Sequence, residues 1–183
     1  VELLGRHPAD VIFLQETRDA ADLAAALLAQ PALQGWHVVV PPDLRLMILS
    51  RFPLAAGTRR RGMLEAMAEV EGQRLRLFTA VGPKPFAAGE PERFARQLLA
   101  AVEDMPGPVL VGLDLNAGPA SAAARLLRTQ LRDAAMAAGW RGSFAFTFPT
   151  PARRSGAAGA WLRIDQLLAT PELRPEAVRV VPE

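Results

Sequence analysis

The sequence contains no cysteine and no tyrosine, and only one lysine, one asparagine and two histidines among 183 residues. The absence of cysteine excludes disulfides and thiolate metal sites and leaves the compartment open, with the cytoplasm slightly favoured. Because few groups titrate between neutral and strongly alkaline pH, a small excess of arginine raises the pI to about 10.3 while the net charge is only +2. The high pI is therefore not evidence for nucleic-acid binding.

Long apolar runs are also absent, and none approaches the roughly 20 residues that span a bilayer. The N-terminus lacks the layout of a signal peptide. Half of the residues are apolar, which is enough for a sizeable core in a chain of this length. We expect one monomeric domain over residues 1–183 with no membrane span. The opening segment is typical of the end of a helix, so we expect the natural protein to begin further upstream.

Short apolar runs and helical periodicity alternate along the chain. Strands are predicted at residues 10–14, 36–40, 46–49, 63–70, 74–81, 109–116, 144–148, 161–168 and 178–181. Helices are predicted at residues 20–30, with Asp19 as the cap, and at 90–104 and 119–138. The segment 71–73 is typical of a hairpin turn. The arginine-rich segments 59–61 and 153–154 are predicted to lie in solvated loops, with phosphate contacts as the alternative.

These elements interleave without a strict βαβ alternation, and the central hairpin indicates antiparallel pairing. An α/β sandwich with helices outside fits this pattern better than a doubly wound parallel sheet.

Polar side chains lie at the ends of two predicted strands and within a third. Asp114 and Asn116 end an apolar strand and project to the same side of it. Glu16 follows the first strand, and Asp165 lies in a strand between apolar residues. A carboxylate in such a place is costly unless it is paired, hydrogen-bonded or bound to a metal. The three carboxylates therefore suggest one shared site.

Oxygen ligands, without cysteine and with few histidines, favour Mg²⁺ or Mn²⁺ over zinc. Such a metal polarises a phosphoryl oxygen, an aspartate can orient and deprotonate a water, and an asparagine amide can donate to the developing charge. The set suits hydrolysis of a phosphoester. Taken singly, Glu16 could instead be a turn or capping carboxylate, Asp114 and Asn116 could form the turn before the next helix, and Asp165 could pair with Arg163.

Five segments occur in a specific order: ADVIFLQE at 9–16, LSRFPL at 49–54, DLNA at 114–117, TFP at 147–149 and RID at 163–165. In this order the chain resembles the endonuclease/exonuclease/phosphatase superfamily. That group includes deoxyribonuclease I, abasic-site endonucleases, sphingomyelinases and inositol polyphosphate 5-phosphatases. The resemblance implies a four-layer α/β/β/α sandwich of two mainly antiparallel sheets flanked by helices.

The resemblance also implies a role for each candidate residue. Glu16 matches the metal ligand, Asp114 the residue that orients the attacking water, and Asn116 a contact to the scissile phosphate. Asp165 matches the carboxylate that supports the catalytic histidine of the last motif.

Ser50 and Arg51 match a structural turn beside the cleft, with phosphate binding by Arg51 as the alternative.

The sequence departs from the family pattern in three places. The strand that ends in a metal-binding Asn and the final Ser-Asp-His motif are absent, so we expect the domain to be truncated at both ends, without its first and last strands. A further family histidine would fall near Val81 or Gly82, and neither position is a histidine. His7 and His37 do not replace it and are assigned no role.

We therefore expect a metal-dependent phosphoesterase of the nuclease, phosphodiesterase or phosphatase type, with nucleic acid among its candidate substrates. The alternative is a catalytically degenerate domain of the same fold that binds or scaffolds. The loops carry no code that distinguishes DNA, RNA, a lipid headgroup or a sugar phosphate as substrate.

Overall fold

The computed structural model describes residues 7–60, 62–84, 89–104, 107–139, 148–149, 161–162 and 164–179. The strands are β1 (Val11–Gln15), β2 (His37–Val39), β3 (Leu46–Ser50), β4 (Leu54–Arg60), β5 (Met63–Val70), β6 (Gln73–Val81), β7 (Val109–Asp114), β8 (Arg132–Asp133), β9 (Phe148–Pro149), β10 (Trp161–Leu162) and β11 (Asp165–Ala169). The helices are α1 (Ala20–Leu28), α2 (Glu90–Glu103), α3 (Ala122–Leu127) and α4 (Ala134–Ala137), with a 3₁₀ turn at Pro31–Leu33. The chain divides into two compact units, residues 1–81 with 107–112, and residues 82–106 with 113–182.

The first unit contains two groups of paired strands. In one of them β3 lies between β1 and β2. In the other, β4, β5 and β6 pair in sequence, and the start of β7 follows β6. Apolar side chains of β3, β5 and β6 pack between the two sheets, namely Leu46, Ile48, Leu64, Ala66, Ala68 and Leu77. The first unit therefore has its core between two sheets.

Strand β3 is buried on both faces, which explains why its sequence is an uninterrupted apolar run. Successive side chains of a strand point to opposite faces. Ile48 accordingly packs in the core between the sheets, whereas Met47 and Leu49 pack against Ala24 and Leu27 of α1. Helix α1 thus covers the outer face of the first sheet.

The predicted hairpin between β5 and β6 is confirmed. Val70 pairs with Gln73, so the turn consists of two residues, Glu71 and Gly72. Both have positive φ angles, 51° and 77°, as a type I′ hairpin turn requires.

The second unit combines helices with the end of β7. The apolar side chains spaced along α2 are buried as expected, namely Phe94, Leu98, Leu99 and Val102. Helix α2 packs against α3. Strand β11 lies between β7 and β8 and pairs antiparallel with β8. Strands β9 and β10 form a short antiparallel pair.

The chain thus has the predicted α/β fold with two mainly antiparallel sheets flanked by helices. No helix in the described part of the chain is long and apolar enough to cross a membrane.

Several element predictions were wrong. Arg59 and Arg60 belong to β4 rather than to a loop. The helix expected at 119–138 is divided into α3 and α4, with β8 between them. The strand expected at 161–168 is likewise two strands, β10 and β11. Asp19 precedes α1 but makes no capping hydrogen bond with its side chain.

The last predicted strand, 178–181, is not formed at residues 178–179. Residues 180–181 lie outside the described residues, as do Arg61, the start of the strand predicted at 144–148, and the segment that contains Arg153 and Arg154.

Candidate active site

The end of β7 holds an aspartate and an asparagine in a fixed turn. Asp114 is only 8% exposed, and its Oδ1 accepts a hydrogen bond from the backbone N–H of Asn116 at 2.9 Å. Asn116 is half-buried and has a positive φ of 53°, a conformation that asparagine adopts more readily than most residues. The turn predicted as the alternative role of these residues is therefore formed, and its hydrogen bond fixes the Asp114 carboxylate.

Gly82 supports this turn from a neighbouring segment of the second unit. Asn116 donates its side-chain Nδ2 to the Gly82 carbonyl at 3.1 Å, and the Gly82 N–H donates to the Asp114 carbonyl at 2.7 Å. A Cβ atom at position 82 would lie 2.6 Å from the backbone oxygen of Leu115. A histidine at position 82 would therefore displace the tip of β7.

Asp165 begins β11, the strand that lies beside the tip of β7. The carbonyl of Ile164, the residue before it, accepts a hydrogen bond from Leu115 N–H at 2.9 Å. Asp165 is half-buried and has an interaction partner. The second unit thus brings the strand of Asp165 next to Asp114 and Asn116. Arg163, its alternative partner, lies outside the described residues.

Glu16 follows β1 in the first unit. Its φ is 52°, in the left-handed region, and the residue is exposed. It borders a cavity of about 260 Å³ that is also lined by Asp43, Leu44, Arg45, Leu46, Gly62 and Val81. Val81, one of the two positions expected to carry a family histidine, thus borders the same cavity as Glu16.

The donor set of this cavity fits a hard divalent cation held by few protein ligands. Glu16 and Asp43 supply carboxylates, and Asp43 is paired with Arg59 at 3.2 Å. No cluster of three or more His, Cys, Asp or Glu residues occurs in the part of the chain that is described. Mg²⁺ is usually held by one or two carboxylates together with waters and substrate phosphates, and Glu16 suits that mode.

Two residues near Glu16 were not assigned roles from the sequence. Gln15 donates its Nε2 to Thr79 Oγ1 at 2.9 Å and to the Gly112 carbonyl at 3.3 Å, which ties β1 to β6 and β7. Arg45 donates to the backbone carbonyl of Glu16. The polar Gln15 follows an apolar run and precedes Glu16, so its place in the sequence indicated a functional or structural contact. Nothing in the sequence around Arg45 indicated its contact with Glu16.

Ser50 and Arg51 form a turn at the end of β3. The buried Ser50 hydroxyl accepts from the N–H of Phe52 at 2.9 Å. Arg51 pairs with Asp10 at 2.9 Å, and both of these side chains are exposed. These contacts favour the structural interpretation of the two residues.

Comparisons with known proteins extend these observations. Residues 1–183 match the Endonuclease/Exonuclease/phosphatase family. The fold is similar to that of D. rerio TDP2 complexed with a single-strand DNA product, with a TM-score of 0.68 and 18% identity over 92% of this chain and 74% of that one. It is also similar to a Bacteroides thetaiotaomicron mannosyl-6-phosphatase, with a TM-score of 0.69 and 14% identity over 93% and 74% of the two chains.

A third similar structure is sphingomyelinase C from Streptomyces griseocarneus, with a TM-score of 0.63 and 20% identity over 93% of this chain and 75% of that one. No curated protein matches the sequence.

Proposed function

The chain belongs to the endonuclease/exonuclease/phosphatase family, and from that premise we propose that it hydrolyses a phosphoester with the help of Mg²⁺ or Mn²⁺. The observation that carries the proposal is the tip of β7, where a buried carboxylate and an amide are held in one turn. In this assignment Glu16 holds the metal, Asp114 orients the attacking water, Asn116 contacts the phosphate and Asp165 supports the site.

Asp114 suits the role of the residue that orients water. A carboxylate that is buried and accepts a backbone N–H has little freedom to rotate. Fixed orientation matters because a reacting group must be held close to its productive geometry for efficient catalysis. The carboxylate can then accept the proton of a water as that water attacks phosphorus.

Asn116 suits the role of a phosphate contact. A side-chain amide has two N–H donors, and the bond to Gly82 uses one of them. That bond also fixes the plane of the amide. A donor held in this way can stabilise negative charge on a phosphoryl oxygen without first having to reorganise.

Glu16 suits the role of the metal ligand because it is an exposed carboxylate that borders a cavity. A divalent cation bound there would supply Lewis-acid polarisation of a phosphoryl oxygen. Asp43 is the second carboxylate of this cavity, and its pairing with Arg59 makes it the weaker candidate for a ligand.

The alternative function is a binding or scaffolding domain of the same fold. It is favoured by the absence of a histidine at Val81 and Gly82 and by the contact that excludes a larger residue at Gly82. It is also favoured by the local role of Asp114, which accepts a hydrogen bond within its own turn.

The substrates to be tested are taken from the names of the similar structures. The D. rerio TDP2 structure holds a single-strand DNA product, so single-stranded DNA belongs in the test. A hexose 6-phosphate and sphingomyelin represent the phosphatase and sphingomyelinase classes. A generic nitrophenyl phosphodiester reports activity without a recognition requirement.

The test compares Asp114→Asn with Asp133→Asn. Both residues are buried aspartates that accept backbone N–H groups, and asparagine keeps an oxygen acceptor at each position. We expect metal-dependent turnover in the unchanged protein, a loss of about 10²- to 10⁴-fold in kcat for Asp114→Asn, and little change for Asp133→Asn. Absence of metal-dependent turnover on all four substrates would favour the binding domain.

A further inference from the structure

The turn that carries Glu16 has an unusual backbone conformation. Glu16 is not a glycine, yet its φ of 52° places it in the left-handed region. Residues with a Cβ atom adopt this region only where surrounding contacts hold them there. The contacts that hold this turn therefore also decide where the Glu16 carboxylate points.

Arg45 supplies these contacts from the segment before β3. Its Nη2 donates to the Glu16 carbonyl at 3.0 Å, and its Nε donates to the Thr17 carbonyl at 3.4 Å. The backbone is also engaged, because Thr17 N–H donates to the Arg45 carbonyl at 3.1 Å. A guanidinium is a rigid planar fork, so two bonds to consecutive carbonyls fix the direction of both peptide groups.

Arg45 and Glu16 line the same cavity, and a second arginine lies close to it. Arg59 pairs with Asp43, which is also part of the cavity wall. The two arginines thus differ in what they hold. Arg45 holds the backbone of the turn at Glu16, whereas Arg59 holds the side chain of another wall residue.

We propose that Arg45 is a positioning residue that orients the Glu16 carboxylate for a divalent cation. This inference rests on the proposed role of Glu16 as a metal ligand. Arg45 itself cannot be a metal ligand, since a guanidinium has no acceptor atom. Its effect on the metal passes through the two backbone carbonyls that it holds.

A positioning role and a simple charge effect predict opposite changes in metal affinity when Arg45 is removed. A positive guanidinium beside a cation site repels the cation, so a charge effect alone predicts tighter binding once Arg45 is removed. Positioning predicts the opposite, because a released turn no longer presents the carboxylate. Groups that orient metal ligands typically contribute about 10- to 100-fold to metal affinity.

The experiment measures Mn²⁺ affinity of the protein by calorimetry or electron paramagnetic resonance, without substrate and without reference to turnover. The variants are Arg45→Met, Arg45→Lys, Arg59→Met and Glu16→Gln. We expect Arg45→Met to weaken Mn²⁺ binding about tenfold or more. Arg45→Lys should weaken it several-fold, since an ammonium lacks the planar fork that spans two carbonyls. Arg59→Met, which also removes one positive charge near the cavity, should leave the affinity unchanged or increase it.

The outcomes distinguish this inference from the proposed function. If Glu16→Gln abolishes Mn²⁺ binding while Arg45→Met binds as tightly as the unchanged protein or more tightly, the positioning role is wrong and the metal role of Glu16 stands. If Glu16→Gln binds Mn²⁺ normally, the metal role fails and that of Arg45 fails with it. Should Arg45→Met fail to fold in a thermal melt, Arg45→Lys decides, and an unchanged affinity in that variant overturns the inference.

Discussion

Asn116 and Gly82 are joined by a hydrogen bond from a side-chain amide to a backbone carbonyl, at 3.1 Å. The Gly82 N–H returns a bond of 2.7 Å to the carbonyl of Asp114. The segment after β6 and the tip of β7 therefore hold each other in place. Because a Cβ atom at position 82 would approach the Leu115 carbonyl to 2.6 Å, the absence of a side chain at Gly82 allows this contact.

Gly82→Ala is expected to lower both stability and turnover. The added methyl group meets backbone rather than a flexible side chain, so the tip of β7 must shift. We expect a loss of about 1–3 kcal/mol in the free energy of unfolding, measured by urea denaturation. We also expect a fall in kcat of up to about 100-fold, since a displacement of about 1 Å at a reacting group can cost that much.

Gly118→Ala is the matched control, because no atom lies within 4 Å of its added Cβ. A similar loss at both glycines would contradict this account.

Two substitutions of Asn116 separate the stability cost of its positive φ from the contribution of its amide to turnover. Glycine accepts the positive φ of 53° at this position without strain, whereas alanine adopts it only at a cost. We expect Asn116→Ala to be less stable than Asn116→Gly by about 1–2 kcal/mol in thermal or urea denaturation. Both variants lose the amide, so both should lose turnover to a similar extent. Retention of turnover in Asn116→Gly would mean that Asn116 serves only the turn.

The sequence predicts best where burial imposes a pattern. The apolar spacing of α2 and the fully buried run of β3 reflect packing against a core, and both elements form close to the predicted bounds. The hairpin at Glu71 and Gly72 was predictable because two β-rich runs flank a short polar segment with a glycine, the residue that most readily takes the positive φ of such a turn. The tips of β1 and β7 stood out because polar residues interrupt apolar strands.

The failures have physical causes as well. Strand β4 is exposed along nearly its whole length, so no alternation of apolar and polar residues marked it as a strand. The break between α3 and α4 was not predicted because the segment is rich in alanine, whose high helix propensity favours one continuous helix. Asp133 makes that break by accepting the N–H groups of Ala135 and Met136 as the cap of α4. Arg45 was missed because its contact joins residues 29 positions apart.

A buried ion pair lies within the second sheet of the first unit. Arg76 Nε donates to Glu65 Oε1 at 2.8 Å, and the two side chains are only 3% and 6% exposed. The other oxygen of Glu65 accepts from Thr58 N–H at 3.2 Å. Glu65 also packs over Gly57, where a Cβ atom would lie 2.7 Å from its side chain. The pair thus supports β4 where the register of its pairing with β5 shifts.

Removing one member of this pair should cost more than removing both charges. Arg76→Met leaves a buried carboxylate without its partner, and we expect a loss of about 3–5 kcal/mol in the free energy of unfolding. Adding Glu65→Gln removes the stranded charge and keeps an oxygen for Thr58, so the double variant should be more stable than Arg76→Met alone. Urea denaturation of the two single variants and the double variant gives the coupling energy. Arg59→Met, which breaks an exposed pair with Asp43, should cost less than about 1 kcal/mol. Additive losses at Glu65 and Arg76 would show that the two charges do not depend on each other.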